Sequence, residues 1–346
     1  MTETPVRVPP APVTSVKGSE LNEDASYRPY GATTFASCPI GTIETIQAGE
    51  AVVLGVPYER TKISRPGASE GPKAIREATA MFGFAVESMA GGVIADLDSG
   101  VTSRYRPRLR DLGNLDVEDL AVKDMHAAVR GAVGRIASRG ALPVILGGDH
   151  YVTFPSISGV VDAREHEGNV GYLHFDMHLD MAGEIPYWGI HSCGAVVRRV
   201  VDAGIVDPKR ITVIGAESFQ HQNEVDFARE HGITINTVKD VRARGAGAVV
   251  KEAAERALSG ADALYVSVDI DCLMRTYAPG TGNVVGISGL FPDELMEGII
   301  SLRSFPVVAF DMTEVAPRWD PTGRTPAIAS TMLLEFLRDH LFVGGE

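Results

Sequence analysis

The sequence predicts an α/β fold, a three-layer doubly wound parallel sheet with helices on both faces, and three observations carry that prediction. Short apolar, β-branched runs at Ala51 to Val56, Leu142 to Leu146, Val170 to Phe175, Ile211 to Ala216 and Ala263 to Val268 have the length and continuity of strands buried on both sides. They alternate with segments of helical periodicity. No Gly/Ser-rich linker divides the 346 residues, so a flexible arm over 1–28 followed by one domain over 29–346 is expected.

The elements follow in order. Residues 1–28 are rich in Pro, Thr, Ser and Glu, with Pro9-Pro10 and Pro12, a composition that does not build a packed element. Strand Ala51 to Val56 runs into Pro57-Tyr58 and a loop holding Arg65-Pro66-Gly67. Gly71-Pro72 then opens a helix through Ile75 to Ala78, with proline in the first turn, where its missing N–H costs nothing. Val117 to Ser138 has apolar residues near helical spacing and stops at Gly140. Strand Leu142 to Leu146 ends in Gly147-Gly148-Asp149-His150, and a helix begins from Tyr151. Strand Val170 to Phe175 breaks into Asp176-Met177-His178-Leu179-Asp180 and a loop with Tyr187, Trp188 and His191. Helices at Ala195 to Val201, Ala246 to Leu258, Pro292 to Leu302 and Pro326 to Leu341 alternate with strands at Ile211 to Ala216, Ile233 to Val238, Ala263 to Asp269 and Val307 to Phe310. In such sheets crossovers are right-handed, and sites form at the carboxyl ends of the strands.

Composition excludes several functions. Net charge of −13 argues against nucleic-acid binding, which needs basic patches, and suits attraction of a small cation. No apolar run approaches the roughly 20 residues that span a bilayer. The start lacks the pattern of a secretory signal, so a cytoplasmic location is expected, with no membrane partner. Three cysteines, Cys38, Cys193 and Cys272, do not make a disulfide scaffold.

Chemistry concentrates at three strand ends. Asp176, Asp180, Asp269 and Asp271 stand with His150 and His178 where apolar runs stop. Buried carboxylates are costly unless paired or coordinated, and four together would repel and take up protons. Two divalent cations remove that repulsion. Strand alternation sends Asp176 with His178, and Asp269 with Asp271, to one side. An oxygen-rich set with imidazoles suits Mn²⁺, and the same ligands accept Zn²⁺, Co²⁺ or Ni²⁺.

Gly147-Gly148-Asp149-His150, Asp176-Met177-His178-Leu179-Asp180, Ser267-Val268-Asp269-Ile270-Asp271 and Glu314 in Asp311-Met312-Thr313-Glu314-Val315 together resemble the ureohydrolase family, which includes arginase and agmatinase. Gly55-Val56-Pro57-Tyr58, Arg65-Pro66-Gly67 and Ala278-Pro279-Gly280-Thr281-Gly282 extend the resemblance, which is nearest the agmatinase-like branch. It implies two ions, manganese by default and nickel as the alternative. His150, Asp176, Asp180 and Asp269 would hold one, and His178, Asp176, Asp269 and Asp271 the other. It implies hydrolysis of a guanidine-type cation to urea and an amine. Asp180 would orient the attacking water and carry its proton, and Glu314 would accept hydrogen bonds from the guanidinium. It also implies a homo-oligomer, commonly a trimer or hexamer.

Departures from the family pattern bear on the substrate. Met177 stands where a small residue is usual, and its thioether either narrows the pocket or fills core space. The usual loop histidine falls on Cys193, leaving His191, two residues upstream, as an expected catalytic proton shuttle. Glu217 replaces a strand-end arginine, which disfavours a substrate carboxylate. Trp188, with Tyr187, either flanks an apolar or delocalised cation or serves only in packing. These features place guanidine, a biguanide or alkylated guanidine, agmatine and 4-guanidinobutyrate ahead of arginine. A weakly active subunit of a hetero-oligomer with a paralogue is the alternative, as is a deacetylase-like amidohydrolase. Retention of all six ligand positions and of Glu314 argues against the subunit, and the paired aspartates argue against the deacetylase.

Overall fold

Successive residues of each central strand point into two different cores, which makes the sheet a middle layer. Val53 and Leu146 pack into one core, while Val52, Leu54 and Ile145 pack into the other. Each fully buried side chain of this kind contributes about 1.5–3 kcal/mol of transfer free energy. The computed structural model describes residues 27–28, 33–84, 86, 92–97, 100–164, 169–283, 286 and 288–344.

The strands are β1 (Tyr27–Arg28), β2 (Ala51–Val56), β3 (Val93–Ala95), β4 (Thr102–Tyr105), β5 (Leu109–Leu115), β6 (Leu142–Gly147), β7 (Val170–Phe175), β8 (Ile211–Ala216), β9 (Thr234–Thr237), β10 (Ala263–Asp269), β11 (Val307–Thr313) and β12 (Phe342–Gly344). The main sheet has the order β1-β5-β2-β6-β11-β10-β7-β8-β9. All its described pairings are parallel except that of β1 with β5. A small antiparallel sheet, β12-β4-β3, lies apart from it.

The helices are α1 (Gly71–Phe84), α2 (Val122–Ala137), α3 (Thr153–Ala163), α4 (Val196–Asp202), α5 (Gln222–His231), α6 (Val238–Arg244), α7 (Ala246–Ala257), α8 (Pro292–Leu302), α9 (Arg324–Phe336) and α10 (Arg338–Leu341). Ile75, Val241, Val250, Ile299 and Leu333 of α1, α6, α7, α8 and α9 share one core. Val129, Ile157, Val197 and Phe227 of α2, α3, α4 and α5 share the other.

Several boundaries differ from expectation. Helix α2 starts at Val122 rather than Val117, because Val117 reaches the core from a turn closed by Leu120 N–H on its carbonyl, 3.1 Å. The final helix breaks into α9 and α10 at Leu337. Strand β11 runs on to Thr313, which sets Glu314 at the sheet edge. Strand β5 has no apolar signature because Asp111 and Asn114 are buried in it as partners of Arg76 on α1. Most of the arm expected over 1–28 lies outside the described residues, but Tyr27 and Arg28 pair with Leu115 and Asn114.

Candidate metal centre

Adjacent strands β6, β11, β10 and β7 end side by side, so their carboxyl ends deliver His150, Glu314, Asp269 and Asp176 to one place. After β6 the chain must pass close to the preceding loop, and a Cβ at Gly148 would overlap the Tyr58 carbonyl. Asp149 N–H donates to that carbonyl at 2.7 Å. The Asp149 side chain accepts from Thr61 N (3.0 Å), Thr61 Oγ1 (2.6 Å) and Tyr151 N (3.2 Å), which fixes the turn that aims His150 inward. Burial nevertheless pushes the Asp149 carboxyl up to about 6. After β7, Asp176 Oδ1 accepts from His178 N at 2.7 Å. After β10, Asp269 Oδ1 accepts from Asp271 N at 2.7 Å. Asp180 (φ 51°) and Glu314 (φ 65°) both occupy left-handed backbone, a strain that clusters at functional sites.

The converging atoms are unsatisfied. His150 Nδ1 lies 3.0 Å from Asp176 Oδ2, 3.2 Å from Asp180 Oδ2 and 3.2 Å from Asp269 Oδ2. His178 Nδ1 lies 3.1 Å from Asp176 Oδ1 and 3.5 Å from Asp271 Oδ2. Yet His150 Nδ1, His174 Nε2, Asp176 Oδ2 and Asp271 Oδ1 are buried with no hydrogen-bond partner. Buried polar atoms are nearly always bonded, so this knot of orphans fits cations. Among the described residues two sets have ligand atoms within 4.8 Å of one another: His150, His174, Asp176 and Asp180, and Asp176, His178 and Asp271.

The second layer sets the tautomer. Ser267 Oγ donates to Asp311 Oδ1 at 2.6 Å and so meets His150 Nε2, 2.9 Å away, as an acceptor. With the ring proton on Nε2, the Nδ1 lone pair is left facing the carboxylates, as a ligating imidazole requires. Tyr265 Oη steadies the same Asp311 at 2.5 Å.

Charge in the cluster divides in the way crowded acids should. Burial and the neighbouring Asp269 raise Asp271 well above the carboxylate range, and burial and Asp176 raise Asp180. Against the pull of burial, the His150, His174 and His178 rings hold Asp176 well below it.

No motif marks His174, which joins the cluster. It lies inside β7, stacked on His150 with centroids 4.7 Å apart, and Tyr172 Oη sits 2.7 Å from its Nδ1. The available signal was its i, i+2 relation to Asp176, hidden in an apolar run.

A cavity of about 560 Å³ opens over the cluster, with His150, His178, Asp180, Asp269, Asp271 and Glu314 in its floor. The other expected site residues are placed differently. His191 is not among the cavity-lining residues, and its Nδ1 sits 2.5 Å from Tyr151 Oη. Cys193 does line the cavity, where burial and the Asp149 charge push its thiol up to about 12, so it keeps its proton at neutral pH. Trp188 also lies off the wall, its indole N–H donating to the Lys62 carbonyl at 3.0 Å.

Met177 and Glu217 are not among the residues lining this cavity; Met177 lines a small neighbouring pocket with Asp271, Asn283 and Gly286. Glu217 N–H donates to Met177 O at 2.9 Å, and the Glu217 carboxylate accepts from Ser288 N at 3.2 Å. Met177 Sδ sits 2.9 Å from the Asn283 amide nitrogen, which is also 3.2 Å from His178 Nε2. Of the four residues expected to touch substrate, Glu314 alone reaches the cavity. Lys62, unmarked by any motif and itself not among the cavity-lining residues, is ion-paired with it.

Comparison with known proteins fits this geometry. The arginase family model matches residues 49–338. The human mitochondrial guanidino acid hydrolase is 31% identical over 90% of this chain and 83% of its own length. Guanidinopropionase from Pseudomonas aeruginosa is 31% identical over 89% of this chain and 91% of its own. The structure of proclavaminate amidino hydrolase from Streptomyces clavuligerus superposes with a TM-score of 0.75 at 26% identity, covering 89% of this chain and 96% of that one. The chain belongs to the arginase family, and it is a ureohydrolase acting on an amidine C–N bond.

Proposed function

We propose that this arginase-family chain hydrolyses a guanidine-type cation to urea and an amine, using two divalent cations, manganese or nickel, within a single domain over 29–346. The observation that carries this is the set of orphaned, inward-facing ligand atoms beneath a cavity whose floor includes Glu314. His150, His174, Asp176, Asp180 and Asp269 would surround one cation, and Asp176, His178, Asp269 and Asp271 the other. Bound there, divalent cations acidify a water enough for it to attack at neutral pH.

The chain's own groups do the rest. Asp180, whose Oδ2 lies 3.2 Å from His150 Nδ1 in the cavity floor, takes up the water's proton and delivers it to the departing nitrogen. Glu314, fixed by His150 N–H at 2.9 Å, accepts hydrogen bonds from the planar substrate head.

The cavity wall carries Glu184 and Glu224, which disfavours a substrate carboxylate deep in the pocket. The Glu217 carboxylate accepts from Ser288 N, and Glu217 is not among the cavity-lining residues, so the disfavouring charge is that of Glu184 and Glu224. Guanidine, alkylated guanidines or biguanides, agmatine and 4-guanidinobutyrate therefore stand ahead of arginine. The relatives named for guanidino acids keep carboxylate-tailed 4-guanidinobutyrate in that set. We place the enzyme in the cytoplasm as a homo-oligomer, a trimer or hexamer. Among the described residues no helix is long and apolar enough to cross a membrane. A monomer by light scattering would overturn the assembly.

The test is urea release by metal-stripped protein reloaded with Mn²⁺ or Ni²⁺, across that substrate set and arginine. Turnover of one guanidine fixes class, metal and tail. No turnover with two metals bound would overturn the reading in favour of a subunit that needs an active paralogue.

A further inference from the structure

Lys62 follows β2 in a loop, yet its ammonium ends on the carboxylate that the proposed reaction reserves for the substrate. Lys62 Nζ is ion-paired with Glu314 Oε2, and the two side chains are only 3% and 6% exposed. The other oxygen, Oε1, accepts from His150 N. Both Glu314 oxygens are therefore engaged by the protein itself.

The backbone that carries the lysine is held on both sides, while its stem is free to change rotamer. Thr61 is clamped by Asp149 through its N–H and its hydroxyl. The Thr61 carbonyl accepts from Cys193 N at 3.1 Å, and the Lys62 carbonyl accepts from the Trp188 indole. Opposite, Gly282 leaves room for the stem, since a Cβ there would collide with Lys62 Cε and Nζ. Arg65 N–H holds that glycine through its carbonyl at 3.1 Å.

We propose that Lys62 is a specificity-determining residue that competes with the substrate's cationic head for Glu314. This rests on the reading of Glu314 as the guanidinium anchor. A carboxylate already neutralised by a buried ammonium offers little net attraction to a second cation, and two cations sharing it repel. A guanidinium binds only when the flexible lysine stem swings away. A neutral head of the same shape needs no such exchange. The site thereby discriminates by charge at the reacting end of the substrate, independently of the tail.

Guanidinium and urea are planar, nearly equal in size and different in charge, so their affinity ratio reads this effect directly. Competition binding would be measured on manganese-loaded wild-type, Lys62→Met and Lys62→Arg proteins, each checked for fold by circular dichroism and for metal content. Where guanidinium is turned over, its KM replaces Kd. Lys62→Met is expected to raise the preference for guanidinium over urea at least ten-fold, about 1.4 kcal/mol, and Lys62→Arg to keep the wild-type ratio. Adding Glu314→Gln to Lys62→Met is expected to remove the gain. Lys62→Gln serves the same arm if the Met variant does not fold. An unchanged ratio without the ammonium, or an equal gain in Lys62→Arg, overturns the proposal. The ratio needs no turnover: failure to release urea from any guanidine removes the proposed reaction alone, and an intact reaction with an unchanged ratio removes Lys62 alone.

Discussion

Two buried charge clusters sit in the same sheet and behave as opposites. At β5, Arg76 donates Nε and Nη2 to the two Asp111 oxygens at 2.7 and 2.8 Å, Nη1 to Asn114 Oδ1 at 2.7 Å, and Nη2 to Gly113 O at 3.0 Å. Asp111 also accepts from Phe35 N and Gly113 N, each at 2.8 Å. One cation and one anion close on each other, with the remaining lone pairs filled. At the ends of β6, β7 and β10 the count is reversed: Asp176, Asp180, Asp269 and Asp271 crowd around imidazoles, and four ligand atoms have no partner. A fold keeps a closed cluster for its own coherence, whereas an open one awaits charge from outside.

The widest separation between the clusters is expected from Asp111→Ala. Breaking a buried pair leaves Arg76 uncompensated and should cost about 3–5 kcal/mol of stability. The folded remainder should keep its metal and its activity per metal, by denaturant titration and metal analysis. Loss of metal with unchanged stability would erase the contrast.

Asp269→Ala should do the reverse. Activity is expected to fall at least about 100-fold with loss of bound metal, while the metal-free protein stays as stable as wild type because one repelling acid has gone. Full activity at full metal content would sink the site assignment.

Metal itself sharpens the comparison further. Mn²⁺ at about a hundred times its dissociation constant should stabilise the stripped protein by about 2.7 kcal/mol. The gain should vanish in Asp269→Ala and persist, on a lower baseline, in Asp111→Ala. A gain that survives Asp269→Ala would place the cation elsewhere.

The smallest effect concerns Asp149, which borders the open cluster but is itself closed by hydrogen bonds. Burial raises its folded-state value to about 6, above that of an unfolded aspartate, so the folded state binds the extra proton. Its contribution therefore grows as pH falls through 6. Metal-free wild type should gain roughly 1 kcal/mol on the Asp149→Asn variant between pH 7 and pH 5. Parallel pH profiles would refute the burial argument.

The open cluster was legible in the sequence because its grammar is local. Apolar runs that stop at Asp149-His150, Asp176-Met177-His178 and Asp269-Ile270-Asp271 announce strand ends with ligands whatever the strand order. His174 escaped because a histidine within an apolar strand carries no such stop. The closed cluster left no trace, since Arg76 and Asp111 are 35 positions apart and each looks like an ordinary surface charge. Met177, Glu217, Trp188 and His191 stand out in the sequence as departures from a pattern or as loop aromatics, features that do not fix where a side chain points; none of the four is among the cavity-lining residues.

By itself the sequence determined the layered parallel sheet and the six acids and imidazoles at its edge, because alternation and burial act over a few residues. Only tertiary structure decided that Lys62 meets Glu314. That pairing depends on β2, β6 and β11 lying side by side, and contacts across 252 positions arise from strand order, which no local pattern encodes.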